Sequence, residues 1–121
     1  ENSTLEKDLF FAELDYDGPV RLEDDKPLNY PNPFSLTQTG TEISYTLSEA
    51  ADITIQLYSL TGFLIHSADF KASEEGGKNG YNQVEISTST LSVPYLAPGI
   101  YLYLIIHAGD VIGKNRMVVL P

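Results

Sequence analysis

The sequence predicts an all-β chain folded as a two-sheet antiparallel sandwich, on three observations. Apolar and polar residues alternate with a period of two through much of residues 28–121, which puts one face of each segment in a dry interior. Turn residues interrupt these segments at regular intervals. No stretch keeps helical periodicity over three turns.

The elements follow in order. Asn29-Tyr30-Pro31-Asn32-Pro33-Phe34 carries two prolines at alternate positions, which fix φ and push the preceding residues to extended forms. It is expected to open the sandwich as a stiff edge strand, with Tyr30 and Phe34 as apolar anchors. Ile43, Tyr45 and Leu47 alternate with Glu42, Ser44 and Thr46, and Ile53, Ile55 and Leu57 with Asp52, Thr54 and Gln56. Ser48 to Ala51 connect these two strands. Thr61-Gly62 marks the next turn and is followed by a strand over 63–70. Residues 71–80 form a polar, glycine-rich loop. Val84 and Ile86 mark a strand over 81–87. Residues 99–107 are apolar on both faces, which predicts a central strand covered on both sides. β-branched and aromatic content and the flanking Pro98-Gly99 favour a strand there over a helix. Ala108-Gly109-Asp110 turns the chain into a last strand over 111–120, with Lys114 and Arg116 on one face. Seven short strands with regular turns predict a sandwich of immunoglobulin-like type.

Residues 1–27 form an acidic N-terminal extension, with 9 acids against 3 bases. Phe10, Ala12, Leu14 and Tyr16 alternate with Phe11, Glu13, Asp15 and Asp17, so residues 8–17 read as an extra N-terminal strand-forming segment. Asp17-Gly18-Pro19 ends it, and Val20 and Leu22 alternate with Arg21 and Glu23 as a second short piece. The start at Glu1 reads either as a processed N-terminus left by signal-peptide removal or as a trimmed chain.

Composition excludes several classes. The 121 residues suit one domain, with 42% hydrophobic and 20% charged residues. Lys+Arg is 7 against Asp+Glu 17, a net charge of −10. Nucleic acid and anionic membrane surfaces would repel such a chain. No apolar run approaches the roughly 18–20 residues of a membrane-spanning helix. Cysteine is absent, which removes disulfides and thiolate chemistry.

Candidate chemistry is sparse. His66 and His107 fall on predicted strands, with no Gly-x-Ser-x-Gly turn to expose a nucleophile, so structural histidines are expected. The adjacent acids Glu74-Glu75 and Asp24-Asp25 read as solvated pairs, and no enzyme activity is expected. Asp15-Tyr16-Asp17-Gly18 is half of a loop that wraps a hard cation, and Asp24 and Asp25, with Glu23, are candidates to complete a calcium site. A solvated acidic connector is the alternative. Eight tyrosines raise a carbohydrate-binding face, against the plainer reading that several are core residues with a hydroxyl at the rim.

From Asn29 to Leu120 the chain resembles the type A C-terminal sorting domain of the type IX secretion system. The resemblance rests on Tyr30-Pro31-Asn32-Pro33-Phe34, Ile43-Ser44-Tyr45-Thr46-Leu47, Ile53-Thr54-Ile55 and Tyr58-Ser59-Leu60-Thr61-Gly62. It continues in Leu96-Ala97-Pro98-Gly99-Ile100-Tyr101 and Lys114-Asn115-Arg116-Met117-Val118-Val119-Leu120. That family is in turn similar to the immunoglobulin-like domain of flagellar hook-capping proteins. The resemblance implies a seven-stranded sandwich, export by the outer-membrane machinery to the cell surface or beyond, and no catalysis. Such domains ride behind a cargo domain, whereas 28 residues precede this one, and Ser87 to Tyr95 is extra sequence.

Two functions follow as expectations. One is an extracellular structural subunit that binds copies of itself in a filament or surface layer, with Phe10, Ala12, Leu14 and Tyr16 adding as a strand to a neighbour's sheet; pairing of that strand within its own chain is the alternative. Lys114 and Arg116 are then the expected basic partners of a neighbour's acidic extension. The other is an export or anchoring signal cleaved from cargo.

Overall fold

The computed structural model describes residues 20–24 and 26–121. The candidate assembly strand Phe10, Ala12, Leu14 and Tyr16, and the candidate calcium ligands Asp15, Asp17 and Asp25, lie outside the described residues.

Seven strands form two antiparallel sheets: β1 (Leu28–Tyr30), β2 (Thr41–Leu47), β3 (Ile53–Ser59), β4 (Leu64–Phe70), β5 (Gly80–Ile86), β6 (Gly99–His107) and β7 (Asp110–Val119). One sheet has the order β1-β2-β5 and the other β4-β3-β6-β7. This is an immunoglobulin-like sandwich. The alternation seen in the sequence supplies the core. Ile43, Tyr45 and Leu47 of β2 and Val84 and Ile86 of β5 are buried opposite Ile53, Ile55 and Leu57 of β3 and Tyr101, Tyr103 and Ile105 of β6. Met117 and Val119 of β7 complete it. Each large side chain buried this way contributes roughly 1.5–3 kcal/mol of transfer free energy.

Packing reaches to the N-terminal side of residue 28. Val20, Leu22 and Pro27 are buried. Residues 21–24 run beside the end of β2: Glu23 N donates to Thr46 O at 2.8 Å and Ser48 N to Arg21 O at 2.9 Å. Gly113 on β7 lets Leu22 and Pro27 pack close, since a Cβ there would meet Leu22 Cδ1 and make that side chain shift.

Two expectations are corrected. Tyr30 is not an apolar anchor; it is 83% exposed, because it ends a three-residue edge strand and points away from the core. Phe34, at 1%, is the anchor. The strand β6 is central in its sheet but covered on one face only. Tyr101, Tyr103 and Ile105 point inward, whereas Ile100 and Leu102 on the other face are exposed.

Candidate strand-binding cleft and the clasped edge

A two-sheet sandwich has four edge strands, here β1, β5, β4 and β7. Each offers unpaired N–H and C=O groups to any extended chain unless something blunts it. Three of the four are blunted by identifiable groups.

The edge β1 is three residues long and runs into Pro31 and Pro33. Both X–Pro bonds, Tyr30-Pro31 and Asn32-Pro33, are cis.

The edge β7 is clasped by the same motif. Asn32 Oδ1 accepts from Val118 N at 2.9 Å, and Asn32 Nδ2 donates to Arg116 O at 3.3 Å. The side-chain amide thus takes the place of a backbone peptide. Two residues on, the backbone takes over: Phe34 N donates to Val118 O at 3.0 Å and Leu120 N to Phe34 O at 2.8 Å. Asn115 Nδ2 donates to Pro27 O at 2.7 Å, tying the middle of β7 to the incoming chain. Behind the clasp lies a buried polar cluster. Asn29 Oδ1 accepts from Tyr103 Oη and Asn32 Nδ2, both at 3.2 Å, and Asn29 Nδ2 donates to Thr41 Oγ1 at 3.1 Å. Thr41 Oγ1 in turn donates to Pro31 O at 2.7 Å. Burial holds the Tyr103 phenol well above its usual pKa.

The edge β5 is capped by side chains. Glu75 Oε2 accepts from Gln83 N at 2.6 Å, and Thr90 Oγ1 donates to Glu85 O at 3.0 Å. The Gln83 N–H is the main cause holding the Glu75 carboxyl below its usual pKa, with Lys78 Nζ at 2.9 Å adding to it.

The edge β4 is different. It is seven residues long, carries a single charge, Asp69, and has no proline. Among the described residues no backbone group pairs with its outer side. Beneath it, between β4 and β5, the sheets part into a cleft of about 330 Å³. Its floor is Ile55, Ala68, Phe70, Val84 and Ile86, and Glu75, Gln83, Glu85 and Thr90 stand along the β5 side. His66, also in the lining, is 5% exposed. Its Nδ1 accepts from Ser92 N at 2.9 Å and lies 2.8 Å from Ser92 Oγ. An acceptor at Nδ1 puts the proton of the neutral ring on Nε2. Burial depresses the His66 pKa below 6.5. A strand added outside β4 would lay alternate side chains over this apolar floor, and its backbone would meet the unpaired edge.

The other residues singled out in the sequence fall in separate places. Thr61 and Gly62 form the β3–β4 turn, where Gly62 N donates to Ser59 O at 3.0 Å and Gly62 has φ +96°. Pro98 and Gly99 are exposed at the start of β6, and Tyr101 Oη donates to Ala97 O at 2.7 Å. Lys114 and Arg116 are exposed on the outer face of the four-stranded sheet, and neither pairs with an acid among the described residues. Asp24 Oδ1 accepts from Thr46 N at 3.0 Å. Among the described residues no three His, Cys, Asp or Glu side chains stand together as a metal site would require. Tyr30 and Tyr81 make no shared platform: they sit at opposite ends of the outer face of the three-stranded sheet, with Glu42, Glu85, Ser44 and Gln83 between them.

Sequence reasoning did not single out Asn82 or Ser92, or the hydrogen-bonding roles of the Asn29 and Asn32 amides. Asn82 is fully buried, and all its hydrogen-bonding capacity is used inside the 71–80 loop. Its Oδ1 accepts from Gly76 N and Lys78 N, and its Nδ2 donates to Lys78 O and Gly80 O. A polar residue at an inward position of an alternating strand is the signal that could have found it.

No family model matches the chain. No curated protein matches it. Among solved structures it is similar to the alkylpurine DNA glycosylase AlkC of Pseudomonas fluorescens, bound there to DNA containing an abasic site analogue. The TM-score is 0.50 at 14% identity, over 84% of this chain and 30% of that one. It is also similar to an immunoglobulin-like protein of Pseudomonas aeruginosa, with TM-score 0.42 at 12% identity, over 85% of this chain and 93% of that one. The chain thus spans about 30% of the glycosylase's length, and the likeness concerns the fold alone.

Proposed function

We propose that the protein is a non-enzymatic structural subunit that assembles at the cell surface, residues 8–17 of one copy adding as a strand to β4 of the next. The observation that carries this reading is the β4 edge, unpaired among the described residues and directly above an apolar cleft, in a fold whose other edges are blunted. The occupant is argued from the chain itself. Ten residues in extended form span about 33 Å, more than the seven residues of β4 require. Phe10, Ala12, Leu14 and Tyr16 share one side of that segment and supply apolar groups for the floor. The described chain begins at Val20, so two residues separate the segment from a packed anchor. A contact from one copy's extension to another copy's edge is heterologous, and unless it closes into a ring it yields a filament. The surface location rests on the resemblance of residues 29–120 to type A sorting domains.

Deletion of residues 1–17 is the test. The full chain is expected to form filaments visible by light scattering and electron microscopy, and the shortened chain to form none. Filaments that survive the deletion, or a full chain that forms none, would reject the proposal.

A second reading is a sorting domain that serves as an export and anchoring signal for cargo. It is favoured by the meeting of Asn32 and Phe34 with Arg116 and Val118, sequence-distant members of the motifs that carry the resemblance. Residues 20–121 fused behind a reporter would then direct its export in a type IX-competent host.

A further inference from the structure

The outer face of the four-stranded sheet is unlike the outer face of its partner sheet. On β6 the outward residues Ile100, Leu102, Leu104 and Ile106 are as apolar as the inward ones. The register sets Leu102 between Tyr58 and Arg116, Leu104 between Gln56 and Lys114, and Ile106 between Thr54 and Val111. Leu64, paired with Tyr58, and Val111 extend the apolar surface to both sides and are exposed. A contiguous apolar stripe of this kind, bordered by charge, marks an interaction surface.

We propose that this face pairs with the same face of a second copy, about a two-fold axis running parallel to the strands. The placement of charge selects both the occupant and the axis. Lys114 and Arg116 border the stripe on the β7 side. Asp69, paired with Thr54, stands on the β4 side. Rotation about an axis along the strands lays β7 of one copy over β4 of the other. Lys114 then approaches the Asp69 side of its partner twice over, once from each copy. Rotation about an axis across the strands would stack the bases on themselves. The face is therefore self-complementary in the first arrangement only. Such a contact is isologous and closes at two copies. Sheets packed this way lie about 10 Å apart with strands nearly aligned. The contact uses neither the β4 edge nor the cleft, so it is independent of strand uptake.

Sedimentation velocity on the full chain at about 100 μM tests it, a concentration above the micromolar Kd common for interfaces of standard size. An excess of a synthetic peptide of residues 8–17 keeps the cleft occupied, and its binding is measured separately. The chain is expected to sediment as a dimer. Leu102→Lys, at an exposed outward position, is expected to weaken dimerisation about tenfold or more with an unchanged thermal midpoint. Lys114→Glu is expected to weaken it about threefold, and the double variant Lys114→Glu with Asp69→Lys to restore it. A monomeric chain, a dimer that Leu102→Lys leaves intact, or a double variant no better than the single one would overturn the proposal.

Discussion

His66 shows how one side chain ties the cleft to pH. Its Nδ1 accepts the Ser92 N–H, so the folded state holds the neutral ring, and burial depresses its pKa below 6.5. In the unfolded chain the ring titrates near the ordinary value. Above that value both states are neutral, and the contribution to stability is whole. As pH falls below about 6.5 the unfolded state takes up the proton first, so stability declines until the folded pKa is passed and then levels off. Denaturant midpoints measured from pH 7.5 down to 5 should therefore fall in the wild type, and this part of the fall should vanish in His66→Gln. Carboxylates such as Glu75, whose folded pKa is also lowered, act at lower pH by the same sign, stabilising above the unfolded value near 4.5. The two effects separate along the pH axis. Asn32 acts differently, through geometry. Its amide contributes about 1 kcal/mol as a stand-in for a peptide at the β7 edge, because water can replace part of what it offers there.

At the scale of elements, the edge β4 decides what the sandwich can bind. Ala68 points into the cleft and is half-buried, so Ala68→Lys puts an ammonium where an apolar side chain of the added strand would lie. The lysine stem can carry its charge to the cleft mouth, which keeps the fold. Affinity for a labelled peptide of residues 8–17, read by fluorescence anisotropy, should fall about tenfold or more while the melting curve changes little. The strands themselves were legible. Alternation placed Ile43, Tyr45, Leu47, Ile53, Ile55 and Leu57 in the core, and the strands over 63–70, 81–87 and 111–120 differ from those observed by one residue at one or both ends. The edges were not legible, because which strand ends a sheet depends on pairing order, and pairing joins residues far apart in sequence. The same limit explains β6. A run apolar on both faces signals contact on both, but only one partner lies within the sandwich, so Ile100 and Leu102 look buried in sequence and are exposed in the fold. Tyr30 misleads for a related reason: Asn29 takes the inward position of the short β1, and alternation leaves the Tyr30 ring outside. Asn32, His66 with Ser92, and the cleft itself all depend on residues brought together only by the finished sandwich.

For the whole molecule, net charge opposes every contact between copies. At −10 and a sequence pI near 4.3, subunits repel one another at neutral pH, and part of that charge is the 9 acids of residues 1–27, the region that carries the proposed donor strand. The donor must approach the cleft past Glu75 and Glu85, which repel its own acids. Screening should lower this barrier: the Debye length falls from about 30 Å at 0.01 M salt to about 10 Å at 0.1 M. Assembly followed by light scattering should therefore accelerate with sodium chloride and change little once the Debye length is shorter than the spacing of these acids. Calcium separates two causes. If divalent ions act by screening and loose association with surface carboxylates, calcium and magnesium at equal ionic strength should be nearly interchangeable and needed at millimolar levels, about the range of weak oxygen-ligand sites. If Asp15, Asp17, Asp24 and Asp25 close on one ion, calcium should act far below magnesium, and removing Asp24 should abolish the difference. Asp24 already spends one oxygen on Thr46 N, which leaves the other for an ion and favours the screening outcome. Replacing Asp24 by Asn keeps an acceptor for that N–H while removing charge. Under screening it should slightly speed assembly at low salt, and under specific binding it should slow assembly in calcium, so the sign of one rate change decides between them.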